Sequence, residues 1–341
     1  MKINTFKVDN FIIGRPASVF LIAEIGINHN GKFDLCKKMI IAAAKSGADA
    51  IKLQTIDPNE SYLKNTPSYK EFLNKELSDE ELYKLKKITE KLGLVFFSTP
   101  GDFKSLERLK KIGVKLIKIS SGLLTNIPLI EQVSKYKIPM IISTGMAYEK
   151  EVREGVKAAR KFSNKGVAVL KCTSLYPAPD KTINLNAIAT LRNKLKIPIG
   201  YSDHTIDDLT ICGAVSLGAT IVEKHFTLNN KLLNADHKIS MMPKDFSIMS
   251  KKIKRILEIL GSEKLIPSLT EKKKRYKTHR YIVAKNKISK GLKISLRDIA
   301  FKRSVKKIKK IQPKDYKQII GKISKVDINP DDILSKSFFT K

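Results

Sequence analysis

The sequence predicts an α/β protein, a (β/α)8 TIM barrel followed by a small C-terminal domain. Three observations predict it. Eight short apolar runs alternate with longer amphipathic ones, the rhythm of repeated β-α units around parallel strands. Together they occupy about 250 residues, the usual span of such a barrel. Beyond residue 260 the rhythm stops and the composition changes. A doubly wound sheet is the alternative, but Gly26 to Gly31 does not spell the glycine-rich first turn of a dinucleotide site.

Taken in order, the strand-like runs are 19–24, 50–54, 94–98, 116–120, 139–143, 167–172, 197–202 and 220–225. Helical periodicity falls between them at 33–46, 79–92, 149–162 and 207–217, and after the last strand at 243–260. The barrel is therefore placed at 1–262. Ser, Pro and a Glu-Lys-Lys-Lys-Arg run without apolar periodicity mark 263–280 as an exposed linker. The last segment, 281–341, has short β-like runs at 281–284 and 299–301, punctuated by Lys290-Gly291 and Asn329-Pro330. So short a segment folds alone only marginally and is expected to dock on a barrel, its own or a partner's.

Composition narrows the function classes. Sixty-six Lys+Arg stand against 33 Asp+Glu, a formal charge of +33. Nucleic acid is the first partner such a charge suggests, but only 10 of the basic residues are Arg, the side chain that forks phosphates and reads grooves. From Ile266 onward 23 basic residues face 6 acidic ones, net +17, so half of the surplus marks the C-terminal fifth. Specific nucleic-acid binding is not expected, because no recognition motif accompanies the charge. Cys36, Cys172 and Cys212 are too few and scattered for a disulfide framework, no run is apolar enough to span a membrane, and no apolar leader follows the N-terminal Lys2. A cytoplasmic protein is expected.

In a barrel the site lies at the C-terminal ends of the strands, and here all eight ends are polar. They read Ala-Glu24-Ile-Gly-Ile-Asn28-His29-Asn30-Gly31, Ile-Lys52-Leu-Gln54, Phe-Ser98-Thr99, Ile-Lys118-Ile-Ser120-Ser121-Gly122, Ile-Ser143-Thr144-Gly145, Cys172-Thr173-Ser174-Leu-Tyr176-Pro177, Tyr-Ser202-Asp203-His204 and Val-Glu223-Lys224-His225. Lys52 and Gln54 share one face of their strand, as do Lys118 and Ser120. A lysine flanked by Ile inside a parallel strand is costly to bury without an anion; two of them point to a phosphate or carboxylate ligand. Ser98, Thr99, Ser121, Ser143 and Ser202 would add neutral donors. His204 and His225 end consecutive strands and are candidate ligands of a divalent metal. With His29 and His237 they put four of the five histidines at strand ends or mouth loops. Two imidazoles, with water or substrate oxygens completing the shell, suit Mn2+ or Mg2+ better than a closed zinc site.

These strand ends, in this order, resemble the N-acetylneuraminate (sialic acid) synthases and their nonulosonate relatives that make legionaminic and pseudaminic acids. The likeness covers nearly the whole chain. The tail, with Val283-Ala-Lys-Asn-Lys-Ile-Ser-Lys290-Gly291 and Asp298-Ile-Ala-Phe-Lys-Arg303, resembles the antifreeze-like (SAF) domain of those enzymes. The resemblance implies condensation of phosphoenolpyruvate with an N-acyl hexosamine aldehyde such as N-acetylmannosamine, giving a nine-carbon 2-keto acid and phosphate; legionaminate and pseudaminate synthases with 2,4-diacetamido-6-deoxy acceptors are the alternative. It further implies that Lys52, Lys118 and the hydroxyls hold phosphoenolpyruvate, that the metal on His204 and His225 polarises the aldehyde, and that Glu24 handles the cationic carbon or its attacking water. Ser174 and Tyr176 belong to the motif after strand six, Asp236 matches a sugar-binding position, and Arg303 would come from the small domain of the other subunit of a domain-swapped homodimer. Three departures stand out. Leu123 replaces an acidic residue, Gly101 stands where Phe is frequent, and the tail reads Arg303-Ser304-Val305 in place of Arg-Pro-Gly. Leu123 raises a reading of another class, a catalytically weakened sugar-binding paralogue. Gly101 and the tail departure are expected near the acceptor sugar.

Overall fold

The computed structural model describes residues 4–16, 18–162, 165–232, 236–305 and 311–340. Residues 1–3, which open the N-terminal segment, and Asn234-Ala235 before Asp236 lie outside them. The chain divides into two units, Met1–Gly261 and Ser262–Lys341.

In the first unit eight parallel strands close into a barrel. They are β3 (Phe20–Gly26), β4 (Ala50–Thr55), β5 (Val95–Pro100), β6 (Ile117–Ile119), β7 (Met140–Ser143), β8 (Val167–Cys172), β9 (Ile199–Asp203) and β10 (Ile221–His225), with β10 paired back to β3. Each expected strand is present with its ends within two residues of the sequence prediction. Alternation along the strands sorts two cores. Outward residues such as Ile51, Phe96, Ile117 and Val169 pack against the helices, whereas Phe20, Ile22, Val95, Phe97, Ile141 and Leu170 fill the lumen near the strands' N-terminal ends. The lumen is so full that a Cβ on Gly200 would come within 2.4 Å of the Ile221 carbonyl oxygen and 2.5 Å of Leu170 Cδ2.

A hairpin that sequence periodicity missed precedes the barrel: β1 (Phe6–Val8) pairs antiparallel with β2 (Phe11–Ile13). Each strand has only three residues, too short to register as a pattern, although Asp9 at φ 49° supplies the turn. Phe6, Val8 and Ile13 join the luminal core and cap its lower end.

The second unit opens with a helix at Leu269–Thr278, inside the segment expected to be an irregular linker. Ser268 and Glu271 form a capping box that starts it, a local signal that operates without an apolar stripe. None of its residues is buried, which is why periodicity did not show it. Antiparallel β11 (Arg280–Ala284) and β12 (Ile299–Arg303) follow, with a core of their own around Ile282, Ile294, Ile319 and Leu334. Among the described residues no helix is long and apolar enough to cross a membrane.

Because Ile13 is fully buried and Ile12 is 47% exposed, the two test the hairpin separately. Ile13→Ala is expected to lower stability by about 2–5 kcal/mol and shift the urea midpoint of the barrel, whereas Ile12→Ala leaves it unchanged; equal midpoints for both would show that the hairpin does not close the lumen.

Candidate active site

Above the apolar floor, the next inward position of each strand is polar. β3 runs Phe20, Ile22, Glu24; β4 runs Ala50, Lys52, Gln54; β5 runs Val95, Phe97, Thr99; β10 runs Ile221, Glu223, His225. The polar members of these runs, Glu24, Lys52, Gln54, Thr99, Glu223 and His225, line a cavity of about 620 Å³ at the C-terminal mouth. Of the residues expected at the site, Glu24, Lys52, Gln54, Thr99, Lys118, Ser121, Ser143, Ser174, Tyr176, Ser202, His204, His225 and Asp236 all line it.

One expected residue of the barrel is not brought there. Ser98 is on the helix-facing side of β5, where its hydroxyl bonds to that of Thr55 at 2.8 Å; strand alternation gives the cavity to its neighbour Thr99. Arg303 ends β12 in the second unit. The mouth also holds two of the four expected histidines, not four. His29 is buried apart from the cavity, takes a hydrogen bond from the Gly31 amide at Nδ1 (3.1 Å), and is pushed down by burial to about 4. His237 bonds to Thr227 at 2.8 Å. Neither departure in the barrel touches the cavity. A Cβ on Gly101 would meet Ile56 at 2.7 Å and Ser61 at 2.8 Å, and Leu123 ends a single turn of helix packed on the outer core.

The centre of the mouth is an ionic network. Lys118 Nζ lies 3.0 Å from Glu223 Oε1, and Lys52 Nζ lies 3.8 Å from Glu223 Oε2 and 2.8 Å from Glu24 Oε1. The Ser202 hydroxyl donates to Glu223 at 2.9 Å, and the Gln54 amide donates to Glu24 at 3.0 Å. Glu223 lines this cavity too, although it is not among the site residues expected from the sequence. Its signal was present, since it stands two before His225 on the same strand face. Burial penalises ionisation of both carboxyls, and the neighbours separate them. For Glu223 the ammonium groups of Lys118 and Lys52 outweigh burial and hold it well below the ordinary range. For Glu24 burial prevails over Lys52, with Glu223 adding to it, and the carboxyl is pushed up. Two carboxyls driven apart in this way are suited to different tasks, one a fixed charge and one a proton carrier.

His204 and His225 stand with ring centroids 5.4 Å apart, and Tyr176 stacks on His204 at 4.1 Å. His204 Nδ1 is 2.7 Å from the Thr173 carbonyl oxygen; an N–H donated there leaves Nε2 as a free acceptor, the usual second-sphere arrangement of a ligating imidazole. Burial keeps His225 far below the ordinary histidine value, hence neutral. Its Nδ1 is 3.5 Å from Asp236 Oδ2 and has no hydrogen-bond partner among the described residues, as is also true of Glu24 Oε2, Glu223 Oε2 and Ser143 Oγ. Buried polar atoms aimed at one cavity call for a polar guest. Among the described residues no cluster of three or more His, Cys, Asp or Glu side chains suited to a metal ion occurs. Two imidazole donors opening on one polar cavity can serve a divalent ion only with water or substrate oxygens completing its shell.

Comparison with known proteins agrees with this geometry. A family model described as the NeuB family matches residues 39–265, and one described as the SAF domain matches 279–340. A Methanocaldococcus jannaschii protein named only as uncharacterized is 40% identical over 96% of each chain. The N,N'-diacetyllegionaminic acid synthase of Legionella pneumophila is 36% identical over 90% of this chain and 91% of its own. The crystal structure of N-acetylneuraminic acid (sialic acid) synthetase from Leptospira borgpetersenii superposes with a TM-score of 0.77 at 35% identity, covering 81% of this chain and 97% of that one.

The central carboxylate has a thermodynamic signature. A Glu223 carboxyl held at about 2 instead of 4.5 stabilises the fold fully above its unfolded value and loses that contribution as pH falls from about 4.5 toward 2. Glu223→Gln is expected to cost about 3–5 kcal/mol at neutral pH, because Lys118 loses its partner, and to flatten this part of the acid limb in melting curves recorded against pH. An unchanged acid limb would show that the charge of Glu223 is not shared as described.

Proposed function

The chain belongs to the NeuB family, the nonulosonic acid synthases, and from that premise we propose that it condenses phosphoenolpyruvate with an N-acyl hexosamine aldehyde and releases phosphate. The observation that carries this reading is the pair of buried lysines, Lys52 and Lys118, held by one ionised glutamate at the floor of a polar mouth. Phosphoenolpyruvate presents a carboxylate and a phosphate, and two fixed ammonium groups match that pair of anions. Thr99, Ser143 and Ser202 add hydroxyls at the cavity wall. Ser121 Oγ accepts a hydrogen bond from the Gly145 amide at 2.9 Å, which fixes its hydroxyl at the cavity wall. Gly145 is small for a reason: a Cβ there would strike Ser174 Oγ at 2.0 Å and Ser121 Oγ at 2.6 Å.

In the proposed reaction C3 of the enol forms the new bond to the aldehyde carbon, whose oxygen takes a proton. Water then adds at C2, and cleavage of the C2–O bond to phosphate leaves the 2-keto acid. Glu24 stands beside Lys52 with Oε2 unbonded, and its upward-shifted carboxyl suits it to accept the proton of that water and pass it on. Glu223, held ionised by Lys118 and Lys52, offsets part of the burial that lowers Lys118 and keeps both side chains in place. Asp236 and Tyr176 line the outer mouth beside the imidazoles and are assigned to the sugar. A divalent ion, Mn2+ or Mg2+, held by His204 and His225 would supply Lewis-acid polarisation of the aldehyde oxygen. We assign the active form to a domain-swapped homodimer in which Arg303 serves the acceptor of a partner subunit.

The relatives support both acceptor classes of this reading, N-acetylmannosamine and a 2,4-diacetamido-6-deoxy sugar, since the Legionella legionaminic acid synthase and the Leptospira sialic acid synthetase are about equally similar to the chain. Against the weakened-paralogue reading stands the carboxylate content of the cavity: Leu123 follows the lining residue Gly122 without lining the cavity itself, and Glu24, Glu223 and Asp236 supply carboxyls there.

With phosphoenolpyruvate, Mn2+ and either N-acetylmannosamine or a 2,4-diacetamido-6-deoxy sugar the protein is expected to release phosphate, and Glu24→Gln to reduce turnover by about 10²–10⁴-fold. Phosphate release unaffected by Glu24→Gln would overturn the assigned proton carrier; no release with either sugar would restore the binding-protein reading.

A further inference from the structure

Five lysines are buried among the described residues: Lys52, Lys86, Lys118, Lys171 and Lys224. Four of them have a carboxylate within ion-pair distance, Lys86 on Glu90 at 2.7 Å and Lys224 on Asp203 at 2.5 Å in addition to the two lysines of the mouth. Lys171, 7% exposed, has none among the described residues. Its Nζ donates to Thr173 Oγ1 at 2.6 Å, which occupies one of three ammonium protons. It sits on the opposite face of β8 from Leu170 and Cys172, and so points away from the lumen. There it lines a second cavity of about 620 Å³, bounded by the ends of β7 and β8 and by the helices Glu149–Ala159 and Ala187–Leu195.

We propose that this cavity is a ligand site for a small organic carboxylate with an apolar body. The acidic residue of the lining, Glu149, is consumed by Lys194 at 2.6 Å and Arg153 at 2.8 Å, so no carboxylate of the lining pairs with Lys171. Val152, Leu175, Leu191 and Leu195 give the cavity apolar walls, which a bare inorganic anion would not match. Thr182 and Asn184 offer polar contacts to one end of such a molecule. An ammonium buried without a counter-charge is expensive, and the other buried lysines show how this protein ordinarily avoids it. Met146, Cys172 and Ser174 line both this cavity and the barrel mouth, so a guest here abuts the wall of the proposed catalytic site. The site itself does not depend on the reaction assigned to that mouth.

Equilibrium dialysis of the full chain against phenylacetate and its neutral counterpart phenylacetamide tests this. The acid is expected to bind at least about tenfold more tightly, the value of one charge-assisted contact. Lys171→Met should erase that preference, Lys171→Arg should retain it, and excess phosphoenolpyruvate should not displace the acid. Lys171→Met should also melt no lower than the parent when no ligand is present, since it removes an unpaired buried charge. Absence of binding, equal affinity for acid and amide, displacement by phosphoenolpyruvate, or a markedly lower melting temperature for Lys171→Met would each overturn the proposal.

Discussion

The barrel mouth depends on one buried carboxylate, Glu223, shared by Lys52 and Lys118. All three side chains are at most 5% exposed, and charges so deep are tolerated only where each meets an opposite charge and further hydrogen bonds. The three come from β10, β4 and β6, strands that are far apart in sequence. Closure of the barrel fixes their relation: β3 lies between β10 and β4, with Glu24 opposite Lys52 on one side and opposite His225 on the other. A one-residue slip in either ladder would turn the charged side chains outward among the helices.

The apolar floor contributes as much as the charges. Phe20, Ile22, Phe97 and Leu170, sealed from below by the β1–β2 hairpin, exclude water from the side of the network away from the mouth. In that setting the same burial raises Glu24 and is overcome at Glu223. The difference arises from the number of neighbouring ammonium groups, two for Glu223 and one for Glu24. Outside the lumen a second buried pair, Asp203 with Lys224, stands immediately before His204 and His225 in sequence and fastens the ends of the two strands that carry the imidazoles.

Much of this was legible in the sequence because a parallel barrel writes strands as short apolar runs and ends each in its functional residues. The unread parts have physical reasons. Ser98 was expected at the site because hydroxyls at strand ends look alike until alternation assigns Thr99 the inward face. Glu223 is not among the expected site residues although its spacing from His225 places it inside; only strand alternation separates it from its neighbour Lys224, which faces the other side. His29 and His237 were expected at the mouth because sequence shows nearness to a strand end and not the direction of the ring. The helix Leu269–Thr278 depends on its cap alone. The charge surplus follows the same logic, since only five lysines are buried among the described residues and two of them, Lys52 and Lys118, line the mouth.

The most direct test of the account is a calorimetric titration of phosphoenolpyruvate into the parent, Lys52→Met, Lys118→Met and the double variant, without acceptor. If the two ammonium groups around Glu223 form the anion seat, each single substitution weakens binding by about tenfold or more, and the double variant shows no measurable heat of binding. Unchanged affinity in both single variants would contradict the account, because the buried lysines would then belong to the fold and not to the ligand.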